Sequence, residues 1–263
     1  MPINSTRSGG SAKGYGLLSG GKGFIVATGG TITTSGDFKI HTFTGSDNFV
    51  VTKLGTGPTG GNINYFIVAG GGNSGSNAEG AGGAAGGFRE FACQPISATS
   101  YPITVGGNGS DSSGFSLTST RGGAGGNVIG SGQPGGSGGG GTFQSPGGGA
   151  GNDPPVSPPQ GNPGGGGQYC GGGNARSGGG GGANQAGENA PTSEGGDGGN
   201  GKIPSISGTP GTYYAGGGCG NSNRSGKPPG TPGLGTDAPN TGGGGGQGNP
   251  GYSGIVVVTY RVK

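Results

Sequence analysis

Glycine recurs in unbroken runs at 138–141, 147–149, 164–167, 171–173, 178–182, 216–218 and 242–246, and these runs restrict the chain more than any other feature. A glycine run has no side chains with which to build a core, and each residue gives up more backbone entropy on ordering than any other type. Fixing a backbone costs on the order of 1–2 kcal/mol per residue, whereas burying a large apolar side chain returns about 1.5–3 kcal/mol. Glycine makes up 81 of 263 residues and the hydrophobic residues only 25%. Side-chain burial alone therefore cannot hold such a chain together. Either it is disordered, or hydrogen bonds between closely packed backbones replace much of the core. Disordered chains are commonly charge-rich, and here only 9% of residues are charged. Order is the expectation.

Around the glycine runs the pattern is that of short strands. The stretches 24–30, 31–54, 63–71, 86–93, 101–107, 114–119 and 254–263 are rich in β-branched and aromatic residues and are separated by Gly, Ser, Asp and Asn. Phe38, Ile40 and Thr42 alternate with Lys39, His41 and Phe43, which is the period of a strand, and no stretch carries a helical apolar period. The fold class expected is all-β and irregular: a small antiparallel β-sandwich plus a glycine-rich region of bundled polyglycine II helices with variable loops. The sandwich base spans 23–120 and is completed by the C-terminal strand 254–263. The glycine-rich region spans 121–253. Residues 1–22 are small and polar, without a secretory or membrane-spanning run, and read as an extended N-terminal docking arm.

Polyglycine and proline-rich chains share a left-handed threefold helix rising about 3.1 Å per residue with no internal hydrogen bonds. Every N–H and C=O then points outward, so parallel or antiparallel rods can bond to one another on all sides. A collagen triple helix is excluded because its every-third-glycine period fails in "NDPPVSPPQGNPGGGG".

The ordered landmarks "TGGTITTSGDFKIHTFTGSDNFVV", "NINYFIVAGGG", "GGAAGGFRE", "YPITVGG", the GGGGG clusters and the closing "GYSGIVVVTYR" carry a resemblance. Over residues 24–262 the chain resembles the glycine-rich domain of tailed-bacteriophage virion proteins, notably tail-fibre and fibre-tip proteins of cyanophages and marine phages. It is more loosely similar to the adhesins that cap the long tail fibres of T-even phages. The resemblance implies a structural protein at the virion surface, assembled in the host cytoplasm. Its implied partners are other virion proteins of the fibre shaft or tail, further copies of itself including a trimer, and a host surface receptor, either a glycan or an outer-membrane protein. A component of tail, collar or head decoration without receptor contact is the alternative. An ice-binding protein is a third reading, which the irregular spacers disfavour.

Motifs for chemistry are sparse. With so much glycine, about eight G-x-G-x-x-G matches arise by chance, so the pattern carries no nucleotide-binding signal. His41, the single histidine, reads as an ordinary strand residue, and Glu194 and Asp197 in "EGGDGGNGK" read as a solvated loop rather than a calcium site. No cofactor and no metal is expected, and no enzyme. Cys93, Cys170 and Cys219 lack metal-ligand spacing and read as three reduced or buried thiols, with a Cys170–Cys219 bridge as the alternative. The net charge of +3 is spread along the chain, so neither nucleic-acid binding nor membrane insertion is expected.

Binding residues, if present, belong in the spacers, because loops on a stiff scaffold can vary without harming it. The candidates are Gln168, Tyr169, Asn174 and Arg176 in "QYCGGGNAR", Tyr213 and Tyr214 in "GTYYAGGG", and Asn221, Asn223, Arg224 and Lys227 in "CGNSNRSGK". Tyrosine offers amphipathic contact area at low entropic cost, while Asn and Arg supply directional hydrogen bonds.

Overall fold

The computed structural model describes residues 23–57, 60–76, 79–169, 175–209, 211–222, 230–236 and 238–263. The expected arm at 1–22 lies outside the described residues. The described residues form twelve strands: β1 (Val26–Thr28), β2 (Thr31–Ser35), β3 (Phe38–Phe43), β4 (Asp47–Lys53), β5 (Asn62–Val68), β6 (Phe88–Pro95), β7 (Ser100–Ile103), β8 (Ser112–Gly114), β9 (Leu117–Ser119), β10 (Gln168–Tyr169), β11 (Ala175–Arg176) and β12 (Ile255–Arg261). All pair antiparallel and the described residues contain no helix, so the protein is all-β.

A five-stranded sheet in the order β2-β3-β12-β5-β6 is the middle of three layers. On one face lies the three-stranded sheet β1-β4-β7. Ile63, Tyr65, Ile67, Val256, Val258 and Tyr260 from the larger sheet meet Ala27, Phe49, Val51 and Ile103 from the smaller one. On the other face Ile40, Phe66, Val68, Phe88, Ile255 and Val257 meet Ile206, Tyr214 and Ala215 of the glycine-rich region. Both faces of β12 are thereby covered, which is why its sequence is a continuous apolar run rather than an alternation. β12 sits between β3 and β5, pairing Val258 with His41 on one side and with Tyr65 on the other.

The sequence treats 114–119 as one strand, and there the structure differs. Residues 112–119 form a hairpin, β8–β9, whose two-residue turn is Phe115 and Ser116, both left-handed at φ 54° and 60°. Such turns normally carry Asn-Gly. Phe115 tolerates the conformation because its ring is held among Tyr65, Tyr101 and Phe49, at centroid distances of 4.4, 5.3 and 6.0 Å. Tertiary packing overrides the local preference.

The third layer is built from glycine. Along 82–87 the backbone N–H groups donate in turn to the carbonyls of Gly178, Gly245, Gly123, Gly181, Gly242 and Thr120. Residues three apart thus reach the same neighbour. Carbonyls of the same stretch accept from Gly140 and Ser137, from Gly218, and from Gly72 and Ala69. One rod is therefore surrounded by neighbours on all sides, with donors and acceptors both used. The stretch 178–183 repeats the pattern, donating to Gly141, Glu188, Gly218, Gly138, Gln185 and Ala215 in that order. A partner period of three is that of a threefold helix.

The glycines in these rods do not serve backbone freedom. Within the described runs only Gly242 has a positive φ, at 67°. What they supply is proximity. A Cβ added at Gly71, Gly123, Gly180 or Gly218 would come within 3.0 Å of a carbonyl oxygen on the adjoining rod. Interior rods such as 178–182 are pure glycine, whereas peripheral ones turn a side chain outward at intervals of three. In "GGDGGNG" (195–201), Asp197 Oδ1 accepts from the Thr231 N–H at 2.6 Å and Asn200 Oδ1 accepts from the Leu234 N–H at 3.0 Å. Asp197 is thus a rod residue bracing its neighbour and not part of a solvated loop.

Candidate functional site

The rods run alternately away from the five-stranded sheet and back to it. Residues 69–75 leave β5 and 80–87 return into β6, joined at the far end where the Gly75 N–H donates to Ala81 at 2.9 Å. At the sheet end the Gly242 N–H donates to Ser253 at 2.8 Å, and the rods there run on into β12. The same ladder through later segments puts the connections at 127–130, 143–146, 191–194 and 247–248 at the far end, together with 168–169 and 175–176. Residues 152–160, 183–186, 202–209, 211–213 and 238–241 lie at the sheet end.

This alternation separates the sequence candidates into two groups. Gln168 and Tyr169 on β10 and Arg176 on β11 occupy the far end, and an isolated bridge ties Arg176 to Ser222, beside Asn221. Tyr213 and Tyr214 sit at the opposite end, against the sheet. Asn174, Asn223, Arg224 and Lys227 lie outside the described residues.

Within each group the candidates differ in what they offer. Tyr169 is 58% exposed, and its ring stacks on Phe143 from the neighbouring connection with centroids 5.8 Å apart and planes at 27°. The two connections are fastened together by the Gly167 N–H, which donates to the Pro146 carbonyl at 3.2 Å. Sequence reasoning missed Phe143. Its position immediately after a buried run, "SGGGGTF", was the available signal, since the residue that ends an interior rod is the first free to face outward. Asn221 is half-buried, its N–H bonded to Gly80 and its carbonyl to Ser177.

Arg176 and Tyr214 require correction as contact residues. Arg176 is completely buried, and Tyr214, 8% exposed, packs on Phe66 at a centroid distance of 5.1 Å. A side chain without accessible surface cannot touch a receptor. Tyr214 instead joins rods to sheet, flanked by backbone bonds in both directions with Lys202 at 2.8 and 2.9 Å, and burial raises its hydroxyl pKa. Tyr213 remains partly open at 38%.

His41 is fully buried, with Nδ1 2.8 Å from the Gly29 carbonyl and Nε2 3.0 Å from the Tyr260 hydroxyl. A carbonyl only accepts, so Nδ1 carries the proton and Nε2 accepts from Tyr260. Desolvation lowers the His41 pKa, the Gly29 bond offsets this in part, and Lys39 lowers it further. Burial pushes the Tyr260 hydroxyl up to about 12. Cys93 is exposed and Cys219 buried, while Cys170 lies outside the described residues. Among the described residues no group of His, Cys, Asp and Glu could hold a metal ion, and no helix is long and apolar enough to cross a membrane.

A family model described as a glycine-rich domain matches residues 50–261. The chain belongs to the glycine-rich domain family. The match opens inside β4 and closes on the last residue of β12, so the glycine-rich domain includes both the rods and the sheet core they rest on. Strands β1 to β3 precede it, although β3 pairs with β12. No curated protein and no solved structure matches the chain.

Proposed function

We propose that the protein is a structural component of a tailed-bacteriophage virion, a tail-fibre or fibre-tip protein that presents the connections at the far end of the rod bundle to a host surface receptor. The observation that carries this reading is the segregation of connections. A bundle whose backbone groups bond on every side makes a stiff pedestal, and the connection at 143–146 stands with Gln168–Tyr169 and Ala175–Arg176 on the end away from the sheet. Stiffness lowers the entropy lost when a loop binds a partner. The exposed Tyr169, stacked on Phe143, is the best contact residue, because an immobilised aromatic offers area at little further ordering cost. The partners at the opposite end are other virion proteins of the shaft or tail.

A purely architectural role in the virion is the second reading. It is favoured by β2, an edge strand exposed along all 5 of its residues, whose outer edge pairs with no other strand among the described residues and suits pairing with another chain.

Two measurements test the proposal. Labelling the protein in intact particles should place it distally on the tail or fibre. The purified protein should adsorb to host cells and compete with phage, and Tyr169→Ala should weaken both. Burial among tail proteins with no adsorption would leave only the architectural reading, and absence from the particle would refute both.

A further inference from the structure

The sheet end holds a cleft of about 540 Å³, bounded by β6, the β8–β9 hairpin and the 153–156 connection. At its base is Arg89, a permanently charged side chain that is only 8% exposed. Its Nη1 donates to the Thr118 carbonyl at 3.2 Å, and the guanidinium lies 5.3 Å from the centre of the Phe91 ring. Its Nε is buried without a partner. Neither the Lys202–Glu90 nor the Arg261–Asp37 ion pair involves Arg89, and no carboxylate of the described residues neutralises it. A buried cation without an anion is costly and calls for one from outside.

The rest of the lining narrows what that anion belongs to. Arg121 adds a second cation, while Asp111, which accepts the Arg121 N–H at 2.8 Å, and Asp153 are the carboxylates present. The opposed charges disfavour a bare polyanion. Asp153 and the hydroxyls of Ser116, Thr118 and Thr120 suit a ligand that also carries hydroxyl groups, and Leu117, Pro134, Pro154 and Val156 suit one with an apolar ring face. The volume is that of a small-molecule site. We infer that this cleft binds a carboxylate-bearing saccharide of the uronic acid class, its carboxylate facing Arg89 and Arg121 and its ring hydroxyls donating to Asp153. The inference is independent of the attachment reading, because the cleft lies at the sheet end.

The experiment is a titration of the isotopically labelled full chain with D-glucuronate, and separately with methyl β-D-glucopyranoside, read by amide chemical shifts. Glucuronate should produce saturable shifts in 117–121 and 153–156 at millimolar concentration, and the neutral glycoside should not. Arg121→Gln and Asp153→Asn, both exposed positions that leave the fold intact, should each weaken glucuronate binding by about tenfold. Arg89→Lys should weaken it further, and an unchanged spectrum outside the cleft shows that the variant is folded. Absence of shifts with glucuronate, or equal shifts with the neutral glycoside, would overturn the inference.

Discussion

Replacing Gly180 with alanine adds one methyl group to a 263-residue chain, yet it should be among the most damaging substitutions available. Gly180 lies in an interior rod, its N–H donating to Gly218 at 2.8 Å and its carbonyl accepting from Gly199 at 2.9 Å. The new Cβ would fall within 3.0 Å of the Gly83 carbonyl, which is backbone and cannot swing aside. The rods 80–87 and 177–182 must then separate. Overpacking costs typically about 1–3 kcal/mol. The separation also strains the bonds that join these rods directly, Gly82 to Gly178 at 3.1 Å and Ala85 to Gly181 at 3.0 Å. At about 0.5–1.5 kcal/mol net for each bond, the total loss is roughly 2–6 kcal/mol. Domains commonly have about 5–15 kcal/mol in all. The control is Gly147→Ala, at an exposed glycine whose Cβ would meet nothing within 4 Å. There alanine restricts the unfolded chain and should stabilise by about 0.4–1 kcal/mol. Urea denaturation followed by circular dichroism measures both. Equal stability of the two variants would refute the reasoning, since it would mean that the rods do not touch where the structure places them.

Further outcomes are expected elsewhere in the molecule. Tyr214→Ala empties the contact between the rods and Phe66 and should cost about 3 kcal/mol in the same assay. Tyr169→Ala, at an exposed ring, should leave the urea midpoint within about 0.5 kcal/mol of the parent while reducing adsorption to host cells. For His41 the folded pKa lies below the ordinary 6.5, so the folded state binds a proton less readily than the unfolded one. Its contribution is complete above pH 6.5 and is lost as the pH falls through that value toward the lowered folded pKa. Urea midpoints between about pH 8 and pH 5 should fall on the acid side, and His41→Gln should flatten the trend.

Much of the fold was legible from residue type alone. The apolar stretches of β5 and β12 announced strands, and the mixed side chains of Phe38–Phe43 announced a strand with two unlike faces. The absence of large side chains in the glycine runs pointed to backbone-to-backbone cohesion. What the sequence did not disclose was direction. Whether a spacer lies at the sheet end or the far end depends on how many rods precede it, and that count rests on hydrogen bonds between segments distant in sequence, such as Gly83 to Gly245. Tyr213 and Tyr214 therefore read as the strongest contact pair, yet they stand at the end opposite Tyr169. Burial was hidden for the same reason: Tyr214 differs from Tyr213 only in facing Phe66. The Phe115–Ser116 turn was invisible because an aromatic cluster holds residues that no turn rule selects.

The claim on which everything turns is that main-chain bonding between rods makes a stiff body out of glycine. Native-state amide hydrogen exchange tests it most directly, residue by residue, on the intact protein. The account predicts that the N–H groups of 82–87, 138–141, 178–182, 242, 244 and 245 exchange as slowly as those of β5 and β12, since all are bonded and shielded alike. Exchange of these amides at the rate of an exposed loop, while β5 and β12 stay protected, would contradict it.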